Sequence, residues 1–298
     1  MNSQSGIAPS KVFLPSDDQN HLTVLDFLVH QFPAISQDEW VSRFEDGLIS
    51  DVDGLTLEVS TAYRPNTWVY YFRRVAYEET IPFEERIIYQ DDHLLIADKP
   101  HFLPVTPGGH YLHETLLVRL RNKTGIDTLS PIHRIDRETA GLVAFSKRPE
   151  DRNAYQALFR DKAVTKVYEA IAPHRPELNH RFPIHYASRI EESDVFIQMH
   201  EVAGEPNSDS VIELLEARGD WARYQLNLGT GKKHQLRVHM STLGLPIKND
   251  QIYPVLKPHV TVGKNFDEPL QLLAKELAFV DPLTHMSHSF KSSLSLSF

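Results

Sequence analysis

Residues 131–147 read PIHRIDRETAGLVAFSK, an ionic cluster set directly against an apolar run. Leu142 to Phe145 hold no turn-former or charge, which reads as a buried strand. Upstream, TLSPIH reads as loop, so Asp136 lies on a loop anchored on its C-terminal side by rigid structure. Its neighbours Arg134 and Arg137 favour the ionised carboxylate, which can then serve as nucleophile or general base. The bland alternative is a solvated ion pair worth about 0–1 kcal/mol.

Outward from this strand the chain alternates strands, helices and hairpins. RIIYQDDHLLIADK (86–99) is a strand, an Asp-Asp turn and a strand, and 114–122 place Leu116, Leu117 and Leu120 on one helical face ahead of Gly125. A helix carries Tyr155, Leu158 and Phe159, and AVTKVYEAIA (163–172) returns as a strand. SVIELLEAR and WARYQLNLG form a hairpin across Arg218-Gly219-Asp220, and HQLRVHMSTLG is a helix ended by Gly244. Such interleaving predicts an α+β domain over 81–298 with a mixed, largely antiparallel sheet and flanking helices, rather than a doubly wound parallel one.

Residues 1–80 predict a small α+β module. Leu22, Leu25, Leu28 and Val29 recur at helical spacing, SQDEW offers Ser36 as N-cap with Glu39 three residues on, and Gly47 ends the second helix. LISDVDGLTLEV reads as a hairpin turning at Asp53-Gly54, TWVYYFR as a strand, and Glu78–Glu85 as a linker.

Composition bounds the chemistry. With 298 residues, 41% hydrophobic and 24% charged, the chain can bury a core without metals or disulfides. Cysteine is absent, which excludes thiolate nucleophiles and Cys-ligated zinc and fits a reducing, cytoplasmic setting. No apolar run approaches a membrane span and the N-terminus lacks a signal pattern, so a soluble protein without a membrane partner is expected, most simply a monomer. The net charge of −9 is uneven: residues 1–92 hold 6 Lys+Arg against 16 Asp+Glu, the remainder 25 against 24. Basic residues cluster over Lys147–Lys166 and Arg218–Arg237, which permits a local anion-binding surface.

Two more segments carry chemistry. In KVYEA, the period of two puts Lys166, Tyr168 and Ala170 on one strand face, a ring beside a cation, as a stacked base and its phosphate require; a plain core aromatic is the equal alternative. GTGKKHQLRVHM (229–240) supplies two glycines, then Lys232, Lys233, His234 and Arg237 at a helix start, an anion-binding arrangement or merely a charged helix end. His234 and His239 are badly spaced for one metal, no HExxH occurs, and the histidines around Gly108-Gly109 read as coincidence, so no metal site is expected. The HRD-like triplet lacks the glycine-rich loop, DFG and downstream Asn of a protein kinase.

Taken together, His133-Arg134-Ile135-Asp136 with Thr139-Ala140-Gly141-Leu142, then Lys166-Val167-Tyr168-Glu169-Ala170, then Thr230 to His239, resemble the RluA-type pseudouridine synthases, whose pattern runs HRLDxxTSGL, KxYxA, TGRxHQIRVH. LLIADKP, LPIKNDQIY and LLAKELAFVDPLT extend the likeness over about residues 86–284. The resemblance implies a pseudouridine synthase fold and isomerisation of uridine in structured RNA, ribosomal or transfer, with no cofactor and no metal. It implies Asp136 as nucleophile, Tyr168 stacked on the target uracil and Arg237 paired with Asp136. His133, Arg134, Arg137, Lys166, Lys232, Lys233, His234 and Gln235 then become candidate RNA contacts, His133 and Arg134 where they could fill the space of an extruded base or hold the strand. Departures are Ile135 for Leu, Ala140 for Ser, Lys232 for Arg, which loses bidentate phosphate binding, and Leu273 where His is frequent. The N-terminal module resembles a degenerate ribosomal-type RNA-binding motif, but SQDEWVSRFEDG offers mainly carboxylates, so contact with RNA, contact with protein and bracing of the catalytic domain are its alternatives. An RNA-binding protein or folding chaperone without turnover, and a His-dependent metal hydrolase, are the competing functional readings.

Overall fold

Thr23 opens the first helix, α1 (Val24–Gln31): its hydroxyl accepts from the Asp26 N–H while the Asp26 carboxylate accepts from the Thr23 N–H. Two donors that a helix start leaves unpaired are thereby satisfied reciprocally. Ser36 caps α2 (Gln37–Glu45) through the Glu39 N–H. The computed structural model describes residues 6–16, 21–75, 77–195, 197–257 and 266–298.

Both helices cover an antiparallel sheet of β1 (Ser10–Leu14), β2 (Ile49–Ser50) and β3 (Thr67–Tyr71) in the order β1–β3–β2. Leu14, Leu28, Trp40, Ile49 and Val69 form its core. The hairpin expected at Asp53-Gly54 is reduced to two-residue β2 and a single bridge, Ser50 to Thr56. The stretch read as a linker is bonded along its length: the Glu78 carboxylate accepts from the N–H groups of Leu112, His113 and Glu114, Ile81 is buried, and Arg119 donates to the Ile81 and Phe83 carbonyls.

Residues beyond this stretch build β4 (Arg86–Gln90), β5 (Leu94–Lys99), α3 (Leu116–Thr124), β6 (Ser130–Pro131), β7 (Ala140–Ser146), α4 (Arg152–Arg160), β8 (Thr165–Pro173), β9 (Ile184–Glu192), β10 (Met199–Val202), β11 (Ser208–Arg218), β12 (Trp221–Leu228), α5 (Gln235–Thr242), β13 (Leu272–Val280) and β14 (Ser287–Lys291). An 11-stranded sheet runs β10–β9–β11–β12–β8–β13–β7–β5–β4, with β14 also on β13 and β6 also on β7. Every pairing is antiparallel except β13 with β7. The class is therefore α+β with a mixed, largely antiparallel sheet. The all-buried β5 and β7 explain the unbroken apolar runs, since strands covered on both faces need no alternation.

The parallel seam is two residue pairs long, Leu273 to Ala140 and Ala274 to Gly141. Gly141 has φ +112°, and a Cβ there would lie 2.3 Å from the Ala274 carbonyl oxygen, so only glycine fits. On its far side Ala274 registers with Tyr168 of β8. Gly141, Ala274 and Tyr168 thus run across three neighbouring strands, about 10 Å from first to last. The loop that precedes Gly141 carries Asp136.

Candidate active site

Several bonds hold the 132–139 loop from below. Lys99, fully buried, donates from Nζ to the carbonyls of Pro100 and Arg137, each at 2.9 Å, and His101 donates from Nδ1 to the Glu138 carbonyl at 2.7 Å. Burial drives the Lys99 ammonium down to about 7, against the opposing charges of Glu138 and Asp136, and drives His101 down to about 4. Ile135 is buried in the adjoining core, and Thr139 N–H closes on the Asp136 carbonyl at 3.2 Å. The Asp136 side chain is 27% exposed above this base.

Arg237 of α5 approaches from the other half of the sheet. Its Nε and Nη2 donate to Asp250 at 2.8 and 2.7 Å, a bidentate pair with both side chains 1% exposed. Nη1, also buried, has no hydrogen-bond partner and lies 3.6 Å from Asp136 Oδ2. Burial opposes the charge, but the Asp250 hydrogen bonds and carboxylate, then Asp136 and Glu138, hold the guanidinium more firmly protonated than usual. A buried donor left open beside a carboxylate is poised for a third party or for a small closing motion.

His234 precedes α5 with φ 57°, in the left-handed region. Its Nε2 is 3.9 Å from Asp136 Oδ2, and burial, reinforced by Arg237 and Lys233 and opposed by Asp136, lowers its pKa. Tyr168 is half-buried, and burial followed by the Asp136 charge raises its phenol, which stays protonated.

These groups line one cavity of about 640 Å³, within the roughly 300–1,000 Å³ of small-molecule clefts. Arg134, Arg160, Lys162, Lys166, Lys232 and Arg237 line it with Asp136 as the one carboxylate among the described residues. An acidic chain therefore carries a basic cleft.

Of the residues expected from the sequence, Asp136, Tyr168, Arg237, His133, Arg134, Lys166, Lys232, His234 and Gln235 meet at this cavity. Arg137 and Lys233 do not line it. Arg137, expected to support the Asp136 carboxylate, pairs instead with Glu138 at 2.7 Å and with the Tyr111 hydroxyl at 3.1 Å, because the loop turns its side chain away from its neighbour's. His133, expected to fill the space of an extruded base, is wall: its ring stacks on Phe159 with centroids 4.5 Å apart, and Nε2 accepts from the Ala144 N–H at 3.1 Å. Burial, with Lys166 nearby, takes it down to about 3, so it stays neutral. Gln235, expected at the RNA, is 2% exposed and spends its amide on the chain: Oε1 accepts from Thr230 Oγ1 and Lys232 N–H, while Nε2 donates to the Asp209 carbonyl and Ser210 Oγ. It fixes the 229–234 loop. That loop, not the first turn of α5, carries the lysines, since the helix begins only at Gln235.

Asp250, Tyr253, Phe159, Arg160 and Lys162 line or brace the site without being assigned to it from the sequence: Phe159 reads there only as a helix residue, and Arg160 and Lys162 only as part of the basic stretch Lys147–Lys166. LPIKNDQIY contained the first two, but nothing in spacing tells that an aspartate thirteen residues after Arg237 returns to it. Among the described residues no three His, Asp or Glu side chains gather as a metal site, and no helix is long and apolar enough to cross a membrane.

The pattern of the RNA pseudouridylate synthase family matches residues 93–242, half of the chain and the whole of the cavity's Asp136, Tyr168 and Arg237 segments. The chain belongs to that family. Pseudouridylate synthase relatives extend the match beyond those bounds: tRNA pseudouridine synthase C of Vibrio parahaemolyticus is 30% identical over 228 residues, covering 72% of this chain and 92% of that protein. An uncharacterized RNA pseudouridine synthase of Synechocystis is 28% identical over 233 residues, 77% of this chain and 79% of that one. Among solved structures, human RNA pseudouridylate synthase domain containing 4 superposes with a TM-score of 0.54 at 25% identity, covering 70% of this chain and 88% of that one.

Proposed function

We propose that this pseudouridylate synthase isomerises uridine in structured RNA, ribosomal or transfer, with Asp136 as the nucleophile. In that reaction the Asp136 carboxylate displaces the base, so that the N1–C1′ bond breaks. The base turns within the pocket, C5 bonds to C1′ with release of the carboxylate, and the proton lost from C5 is matched by one taken up at N1, leaving an isomer of uridine. Nothing is oxidised or reduced overall, so positioned side chains suffice. The observation that carries the reading is the Asp136 carboxylate at the floor of a cation-lined cavity, 3.6 Å from an unpartnered donor of a buried arginine.

Each neighbour has a physical task. Arg237 Nη1 steadies the carboxylate as it approaches the sugar. Tyr168 presents a ring, with its phenol protonated, on which a pyrimidine can stack, an interaction worth about 1–3 kcal/mol per base. Arg134, exposed at the mouth, together with Arg160, Lys162, Lys166 and Lys232, meets phosphates and offsets the few kcal/mol that extruding a base costs.

Asp136→Asn tests this directly. Purified variant and parent are compared on total RNA from cells lacking the gene, mapping pseudouridine and measuring RNA affinity. Product should vanish with affinity within a few-fold of the parent's; turnover by the variant overturns the assignment, and a parent without turnover favours an RNA-binding protein or chaperone.

A further inference from the structure

The hydroxyl of Tyr253 stands between a backbone donor and a histidine of the cavity. It accepts from the Met199 N–H at 2.8 Å, and His234 Nδ1 lies 2.9 Å from it. Among the described residues the hydroxyl has no other hydrogen-bond partner. With one lone pair taken by an N–H that cannot change direction, the phenolic proton is left to point at Nδ1. Burial, eased by Met199 and Arg237, pushes the Tyr253 phenol up to about 12, so that proton is present throughout the neutral range. Were Nδ1 protonated instead, the hydroxyl would accept twice and its own buried proton would be left without a partner, so the bonding favours Nδ1 as the acceptor and the ring's own hydrogen on Nε2, the nitrogen 3.9 Å from Asp136 Oδ2.

Tyr253 is itself fixed. Its N–H donates to Asp250 Oδ1 at 3.0 Å and its ring lies 5.4 Å from the Arg237 guanidinium, so the carboxylate that orients Arg237 also orients this tyrosine. The His234 backbone at φ 57° is uncommon outside glycine and turns the ring toward Asp136.

We propose that Tyr253 is a positioning residue that locks His234 in its Nε2–H tautomer, presenting a neutral N–H donor to the Asp136 carboxylate. This deepens the proposed nucleophilic role of Asp136 and rests on it. A neutral donor steadies the carboxylate without adding a second full positive charge beside Arg237, which would blunt its nucleophilicity.

The test sets side-chain chemistry against backbone preference. A glutamine amide nitrogen can stand where Nε2 stands, an asparagine amide only where Nδ1 does. Asparagine, however, is the better tolerated at positive φ. If His234 merely shapes the backbone, His234→Asn should be the milder change; the proposal requires His234→Gln to retain the higher kcat, by about tenfold, the worth of one net hydrogen bond. Tyr253→Phe should lower kcat by about tenfold, again one hydrogen bond, with KM within about twofold. Long-range ¹H–¹⁵N spectra of the ¹⁵N-histidine-labelled full chain, with the His234 signals assigned by their loss in His234→Gln, should show Nε2–H in the parent and a tautomer mixture in Tyr253→Phe. An Nδ1–H signal in the parent, or Asn equal to or better than Gln, overturns the proposal. Should the parent show the Nε2–H signature but no turnover, the tautomer stands and the proposed reaction falls.

Discussion

Asp250 receives the Arg237 guanidinium edge-on, through Nε to Oδ2 at 2.8 Å and Nη2 to Oδ1 at 2.7 Å. The same Oδ1 also accepts the N–H groups of Ile252 and Tyr253, at 2.8 and 3.0 Å. One carboxylate therefore aims the arginine, shapes the loop that follows and leaves only Nη1 for the cavity.

Asp250→Asn places an NH₂ group where one guanidinium donor needs an acceptor and strands a buried cation. Breaking such a pair costs about 3–5 kcal/mol. Urea unfolding should show a loss of that size, with activity falling even where the variant is fully folded. An unshifted midpoint would contradict the pairing.

Gly141→Ala should be far worse than Gly125→Ala. Both glycines have positive φ, +112° and +70°, but a Cβ at 141 meets the Ala274 backbone at 2.3 Å whereas one at 125 meets nothing within 4 Å. The second change should cost about 1–2 kcal/mol for conformation alone, the first at least about 3 kcal/mol because the seam must open. Thermal melts of the two variants side by side decide it; equal losses would remove the steric account.

Lys99 gives stability a pH dependence of defined sign. Its folded value is depressed to about 7 by burial, against the ordinary 10.5 of a lysine in the open chain. Between these values the unfolded chain holds the extra proton, so stability rises with pH. This contribution is complete above about 10.5 and lost as pH falls to about 7, with a slope of up to about 1.4 kcal/mol per pH unit. Urea unfolding from pH 7 to 9.5 should show that rise in the parent and a flatter line in Lys99→Met. Parallel lines would refute it.

Lys162→Ala with Lys232→Ala should weaken RNA binding and reduce the slope of log affinity against log salt by about two, one per phosphate contact. An unchanged slope would mean that these lysines do not meet phosphates.

Local signals carried much of this architecture. Thr115 and Gly125 bound α3, Ser36 starts α2, and Arg218-Gly219-Asp220, with Gly219 at φ 59°, joins β11 to β12, all from residues near one another in the chain. What distant residues decide was illegible. SKVFL becomes β1 only by registering Val12 with Val69, and β7 meets β13 in parallel across more than a hundred residues. The same distinction divides the cavity. Asp136, Tyr168 and Arg237 sit in short recognisable strings, whereas Asp250 and Tyr253 are tied in by loop geometry. Arg137 misled for the converse reason: adjacency to Asp136 in sequence suggested a partnership that the backbone's direction cancels.

The two-pair junction between β7 and β13 is where the two halves of the large sheet join. Asp136 belongs to one side of it, Tyr168 and Arg237 to the other, so any rocking of one half against the other changes the gap between carboxylate and ring directly. A polymer gripped at once by Arg134 on the first side and Lys166 and Lys232 on the second acts as a brace across that line. Its remote handholds, rather than the reacting nucleotide alone, then set how steadily the two halves face each other.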